Sequence, residues 1–143
     1  MFKQGFMFIA GICGSLIASL FGGWSEAMTT LLIVMVIDYI TGVVLAIVFK
    51  KSPKTESGAY ESKVGWKGLF RKAMVLCILV IAHRIDLIIG EGAYVMNAVC
   101  IAFIINDCFS IIENAGLMGV PIPNFIKNAL NMLKAKNEGE RNV

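Results

Sequence analysis

The hydrophobic positions of this chain fall into four long apolar stretches separated by short polar breaks. They cover residues 5–23, 28–49, 68–90 and 93–114. Because an α-helix rises about 1.5 Å per residue, about 20 apolar residues cross a hydrocarbon core of about 30 Å. Residues 28–49 have this length and contain a single charged residue, Asp38. The pattern therefore predicts an all-α membrane protein that forms one membrane domain over residues 1–143.

The first apolar stretch, residues 5–23, has small residues at every fourth position. Ala10, Gly14, Ala18 and Gly22 share one face of a helix, and small side chains let two helix backbones approach closely. We therefore predict a helix-packing face there. A basic start before an apolar core also fits a cleaved signal peptide, but a cleaved leader has no use for such a face. The stretch can either span the membrane or lie in its interface, so we predict three to four transmembrane helices.

The end of the chain has a different pattern. Gly119, Pro121 and Pro123 end the fourth apolar stretch and predict an extended connection, because proline does not continue a helix. Residues 124–136 then place apolar side chains at positions i, i+3, i+4 and i+7. This spacing predicts a C-terminal amphipathic helix that lies on the membrane surface. Residues 137–143 are expected to form a charged tail.

Basic residues are concentrated between the second and third apolar stretches. The net charge is +3, and residues 50–72 hold seven Lys or Arg against two Glu. Basic loops between transmembrane helices stay in the cytoplasm, so we predict that the loop of residues 50–67 and the C-terminus are cytoplasmic. Basic side chains on that side are expected to contact anionic lipids of the inner leaflet. These side chains are Lys50, Lys51, Lys67, Arg71, Lys72, Lys127 and Lys134.

Polar residues inside the apolar stretches are the candidates for function. A charged residue at mid-bilayer costs about 2.5 to 3.5 kcal/mol, so it calls for a partner, for water or for a proton. Asp38 has Thr41 and Gly42 on its own helix face. It could have a working role, or it could be a protonated acid that is hydrogen-bonded between helices. A polar stripe in the fourth stretch could face another helix, line a pore or be solvated at the inner interface. The stripe consists of Asn106, Asp107, Ser110, Glu113 and Asn114.

The remaining polar residues give no sign of an enzyme. His83 and Asp86, three positions apart, predict a polar pair near the end of a helix. The four cysteines all lie in apolar stretches and lack metal-ligand spacing. No arrangement of nucleophile and base and no phosphate-binding loop occurs, so we predict no catalysis, no metal and no cofactor. Nucleic-acid binding is excluded because no soluble basic domain is present.

Three blocks of this sequence resemble the toxin-secretion/phage-lysis holin family, and together they extend over about residues 29–133. The part from Ser110 to Pro123 is the most specific, since spacing and residue types both agree. Asp107 and Cys108 depart from the family pattern, which tends to have Glu and then Gly. The three blocks are residues 38–46, residues 65–72 with 82–86, and residues 105–123.

This resemblance implies a small phage or prophage protein of Gram-positive bacterial systems. Such a protein accumulates in the host cytoplasmic membrane, forms homo-oligomers and opens lesions at a set time. A cell-wall-degrading endolysin, or in some relatives a large toxin, leaves through these lesions without a stable complex with the holin. The residues alone also allow a small ion or proton channel or transporter, or a non-conducting membrane assembly subunit. Neither alternative explains the block that follows the polar stripe.

Overall fold

The computed structural model describes residues 1–90 and 92–141, with the backbone alone at residue 141. Five α-helices and no strand occur in these residues, which confirms the all-α membrane class. A π-helical turn continues the second helix. The elements are α1 (Phe2–Leu20), α2 (Glu26–Val44), the π turn (Leu45–Phe49), α3 (Ser62–Ile89), α4 (Tyr94–Leu117) and α5 (Asn124–Arg141).

Two helices extend beyond the bounds that the apolar pattern predicts. α3 begins at Ser62, well before residue 68, because Lys63 and Lys67 are exposed at its first turns and their charges do not oppose a helix there. The basic loop is therefore shorter than predicted and covers residues 50–61. α5 continues through most of the predicted tail as far as Arg141, whereas residues 142–143 of that tail lie outside the described residues.

The core of the molecule lies between α2, α3 and α4. α4 is central, because it contacts α2, α3 and α5. Large side chains without exposed surface, such as Met28, Leu31 and Leu79, fill the space between the three helices. The full core cluster is Met28, Leu31, Met35, Leu79, Ala82, Met96, Cys100 and Ile104. This three-helix bundle holds the polar residues of the apolar stretches in fixed positions.

Three helices of the described chain are long and apolar enough to cross a membrane: α1, α2 with its π turn, and α4. Their outward faces expose large apolar side chains such as Ile33, Ile40 and Val48, which suits contact with lipid. α3 does not belong to this set, because charged residues interrupt it. It packs against both α2 and α4. The protein is membrane-embedded.

α1 stands apart from the bundle. All of its residues are exposed except Ala18, which is half-buried. Within the described chain, no helix covers Ala10 and Gly14 of the predicted face, which are exposed. The connection to the bundle is made after the helix ends, where a Cβ built on Gly22 would lie 2.5 Å from the His83 ring. The predicted packing face therefore approaches the bundle at Gly22, whereas Ala10 and Gly14 are not used within a single chain.

α5 lies antiparallel along α4. The Asn137 amide donates a hydrogen bond of 3.2 Å to the Ala98 carbonyl, and the Tyr94 hydroxyl donates to the Glu140 carbonyl. The end of α5 therefore lies beside the first turn of α4, at the opposite end of the bundle from residues 50–61. This corrects two predictions, a helix flat on the membrane surface and a C-terminus on the same side as the basic loop. Burial of Asn137 against α4 explains the difference.

The reversal between α4 and α5 depends on the turn that the sequence singled out. Gly119 has a φ of +87°, and its N–H donates to the Gly116 carbonyl at 3.0 Å. The Val120 N–H reaches the Ala115 carbonyl at 3.0 Å. This pair of bonds is a Schellman motif, which closes a helix through a left-handed residue and favours glycine. Residues 121–123 then stay extended up to the start of α5.

Candidate functional site

A lysine from α3 bridges two acids from α2 and α4. Lys72 Nζ lies 2.9 Å from Asp38 Oδ2 and 3.3 Å from Asp107 Oδ2. The side chains are 17% exposed for Lys72, 8% for Asp38 and 13% for Asp107. We call these three residues the charge triad. It joins three helices through ion pairs that are largely shielded from solvent, where Coulomb attraction is stronger than in water.

The charge triad is not neutral when all three groups are ionised, because two acids face one cation. Asp38 Oδ1 is buried and has no hydrogen-bond partner among the described residues. Leaving a buried polar atom without a partner costs free energy. The bundle therefore leaves the hydrogen-bonding capacity of the Asp38 carboxylate only partly satisfied. A water molecule at Asp38 Oδ1 would supply the missing hydrogen bond.

A second polar link joins α2 and α4 one turn further along. The Asn114 side-chain amide donates to Thr41 Oγ1 at 3.1 Å, and the Thr41 hydroxyl donates to the Asp38 carbonyl at 3.0 Å. A Cβ on Gly42 would lie 3.8 Å from the Asn114 amide nitrogen, an ordinary contact distance, so Gly42 lies beside this link without being required by it. The structure thus brings Asp38, Thr41, Gly42 and Asn114 together, as the sequence allowed.

The polar stripe of α4 divides into inward and outward residues. Asp107 and Asn114 are paired with other helices, and Ser110 lies on the wall of a cavity. Asn106 also touches that cavity but is exposed, and Glu113 is exposed. The stripe is therefore not a continuous surface that one chain offers to water.

A cavity of about 330 Å³ lies beside the charge triad. Asp38, Lys72 and Asp107 form part of its wall, and Lys54 and Tyr60 of the 50–61 loop form another part. Its size is enough for several water molecules. The loop and the charge triad therefore share one partly open cavity at this end of the bundle.

The loop over the cavity depends on Gly58. This residue has a φ of +74°, and a Cβ added there would collide with the backbone carbonyl of Lys50. Its own carbonyl accepts a hydrogen bond of 2.9 Å from the Ser52 N–H. We expect Gly58→Ala to open the loop, so that trypsin cleaves after Lys51 and Lys54 faster than in the unchanged protein.

The matched control for this prediction is Gly139→Ala on α5, where a Cβ meets nothing within 4 Å. Trypsin cleavage in the 50–61 loop should be unchanged in this control. Equal cleavage rates for the two variants would show that Gly58 does not hold the loop closed.

Asp86 has a different partner from the one predicted. Its Oδ1 accepts from the Val95 N–H and its Oδ2 from the Met96 N–H, both at 2.8 Å. Asp86 of α3 thus caps the first turn of α4, where free amides and the helix dipole favour an anion. His83 is half-buried and near Gly22 instead, so the predicted pair is not formed. No sequence spacing predicts this cap, because the two helices meet only in the fold.

Of the basic residues predicted to contact lipid headgroups, Lys72 is the exception, since it pairs with acids in the bundle. The others are exposed, and Lys127 and Lys134 lie on α5. No group of three or more His, Cys, Asp and Glu side chains in residues 1–90 and 92–141 is placed to hold a metal ion.

Comparison with known proteins identifies the family. The model of the bacteriophage holin family matches residues 15–135. The chain belongs to the bacteriophage holin family. The match includes the charge triad, the Asp86 cap, the Gly119 turn and most of α5, and it begins within α1. This confirms the resemblance that the sequence motifs carried.

Several relatives of this holin-family chain align over nearly their whole length. A probable holin of Bacillus phage phi105 is 31% identical over 81% of this chain and 80% of that protein. Uncharacterized proteins of Clostridium perfringens and Halalkalibacterium halodurans are 34% and 35% identical, over 94% and 87% of this chain and 92% and 90% of those proteins. No solved structure matches the chain.

Proposed function

We propose that this chain permeabilises the bacterial cytoplasmic membrane from within and so times the lysis of the host. Copies accumulate in the membrane, oligomerise and open lesions through which an endolysin or a large toxin leaves the cell. The observation that carries the proposal is the family match over residues 15–135, and the relative in phage phi105 supports it. Family membership points to a non-enzymatic role, and the endolysin is a functional partner without a stable complex.

The charge triad supports a switch between closed and open states. In the closed bundle, one chain satisfies the acids of α2 and α4 with its own Lys72. In an open assembly, water could solvate the same groups, including Asp38 Oδ1. The closed and open states satisfy the same charges in two ways that differ by a small free energy. A change in the number of assembled copies can then shift the population from the closed to the open state.

The orientation follows from the basic loop. We place the 50–61 loop in the cytoplasm, where Lys50, Lys51, Lys67 and Arg71 are exposed and available to anionic lipids. The turns that follow α1 and α3 then face outward, and α2, α3 and α4 cross the membrane. α1 makes a fourth crossing, since its length and composition suffice.

One experiment separates this function from the two alternatives. The protein is induced in a bacterium that also makes a cytoplasmic endolysin, and optical density and release of a large cytoplasmic enzyme are followed. We expect abrupt lysis with release of the enzyme. Ion leakage without release of the enzyme would favour a channel or transporter instead. Absence of both would favour a non-conducting assembly subunit.

The timing of lysis should depend on Asp38. Asp38→Asn keeps an oxygen acceptor for Lys72 but removes the charge, so it weakens the ion pair at 2.9 Å. A weakened closed state opens with fewer copies, and we expect earlier lysis at equal membrane levels of the protein. The control is Glu113→Gln, which neutralises an exposed acid on α4. Unchanged lysis time in Asp38→Asn would exclude Asp38 from the switch.

A further inference from the structure

α5 has a position in the bundle that its composition does not explain. Its 18 residues give a length of about 27 Å, close to the thickness of the hydrocarbon core. It lies along α4, which is apolar enough to cross a membrane, but α5 is not among the described helices that are. Charged residues account for this, namely Lys127, Lys134, Lys136, Glu138, Glu140 and Arg141.

α5 meets α4 along the boundary between an apolar side and a polar side. Asn137, which is buried, lies on the boundary, and exposed Phe125 and Met132 lie on the apolar side, which also carries Lys136 near the end of the helix. The polar side carries residues at i, i+4, i+7 and i+11, which share one helix face. We call them the α5 polar row: Lys127, Asn131, Lys134 and Glu138.

The two sides of α5 need different solvents. At membrane depth the apolar side suits lipid, because its one lysine, Lys136, is near the helix end and can reach the headgroups. The α5 polar row, by contrast, would cost several kcal/mol in hydrocarbon. Lys134 and Glu138 border the groove between α4 and α5 and have no ion-pair partner in the described chain. One chain surrounded by lipid provides no water for the α5 polar row. A ring of copies can enclose water next to this row.

We infer that α5, still docked on α4, lines the aqueous interior of the lesion with its polar row. This inference rests on the proposed function and adds the identity of the lining surface. The α5 polar row differs from the α4 stripe, because Asp107 and Asn114 of the stripe have partners on α3 and α2 in the closed chain. The α5 polar row contacts water that several copies of this protein enclose together.

The first test locks α5 in the observed position. Ala102 and Asn137 line the same groove, so we replace both with cysteine after exchanging the four native cysteines for alanine or serine. The purified full chain is joined with a disulfide-forming bis-thiosulfonate reagent and placed in phosphatidylethanolamine–phosphatidylglycerol vesicles loaded with fluorescent dextran. We expect release of dextran within about twofold of the rate before crosslinking, since docked α5 is the active form. Loss of dextran release after crosslinking, restored by dithiothreitol, would overturn the inference.

The second test compares the two sides of α5. Asn131→Leu with Lys134→Leu makes the polar row apolar, whereas Met132→Leu with Ala129→Leu changes the other side. We expect the first variant to release dextran about tenfold more slowly or worse, because leucine in the lumen loses its burial free energy. The second variant should match the unchanged chain. Equal rates for both variants would contradict a lumen lined by α5.

These outcomes separate this inference from the proposed function. If the unchanged chain releases dextran and the locked or polar-row variants behave against expectation, the lining surface is wrong but the permeabilising role stands. If the unchanged chain releases no dextran, the permeabilising role fails and the lining surface fails with it.

Discussion

Replacing Lys72 with methionine should lower the free energy of unfolding by about 3 to 5 kcal/mol, because two shielded acids lose their shared cation. Asp38 and Asp107 then face each other across the bundle without compensation. We expect less protein in the membrane and a lower melting temperature in detergent, measured by circular dichroism on the purified chain. Lys67→Met removes an exposed lysine from the same helix and should change neither quantity.

A triple variant distinguishes lost charge compensation from general damage to the helix. Lys72→Met combined with Asp38→Asn and Asp107→Asn removes all three charges. It should recover most of the lost stability, since a buried ion pair replaced by neutral groups often costs little. If Lys72→Met is as stable as Lys67→Met, the charge triad does not hold the bundle.

Removing the Asp86 carboxylate should have the second-largest effect. Asp86→Ala leaves the buried Met96 amide without an acceptor, at a cost of about 1 to 3 kcal/mol, and it also exposes the Val95 amide at the same turn. The first turn of α4 should then exchange its amide hydrogens faster, which mass spectrometry of α4 peptides can measure. Asp86→Asn retains one acceptor, so the exchange rate of this turn should lie between those of the unchanged protein and Asp86→Ala.

Glu113→Ala makes the same change at an exposed acid of α4 and serves as the matched control for Asp86. It should leave both the melting temperature and the hydrogen exchange of the first turn unchanged. Similar behaviour of Asp86→Ala and Glu113→Ala would mean that the cap contributes nothing to stability.

The charge triad and the Asp86 cap act on opposite ends of the same bundle. The cap ties α3 to the start of α4 through two backbone amides, whereas the triad ties α2, α3 and α4 near the 50–61 loop. The triad lies beside a cavity that can hold water. We therefore expect changes at the triad to alter the timing of lysis, and changes at the cap to alter mainly the amount of folded protein.

The sequence by itself determined the membrane class, the positions of the helices and the family. Hydrophobic periodicity is a local property, so the apolar stretches and the acid within 28–49 are visible without any knowledge of the fold. The Gly119 turn was also predictable, because glycine and proline restrict the backbone wherever they occur. The early start of α3 was missed because polar residues at a helix end carry no apolar signal.

Only the tertiary structure decided which polar groups meet. Lys72 lies 34 and 35 positions from its acids, and no short-range spacing connects them. The Asp86 cap exists because α3 delivers a carboxylate to amides of another helix. The side of α5 that meets α4 is likewise a result of packing, since an amphipathic helix alone fits a membrane surface equally well. In each case a polar group inside an apolar environment takes the partner that packing places within reach, and the sequence does not specify that distance.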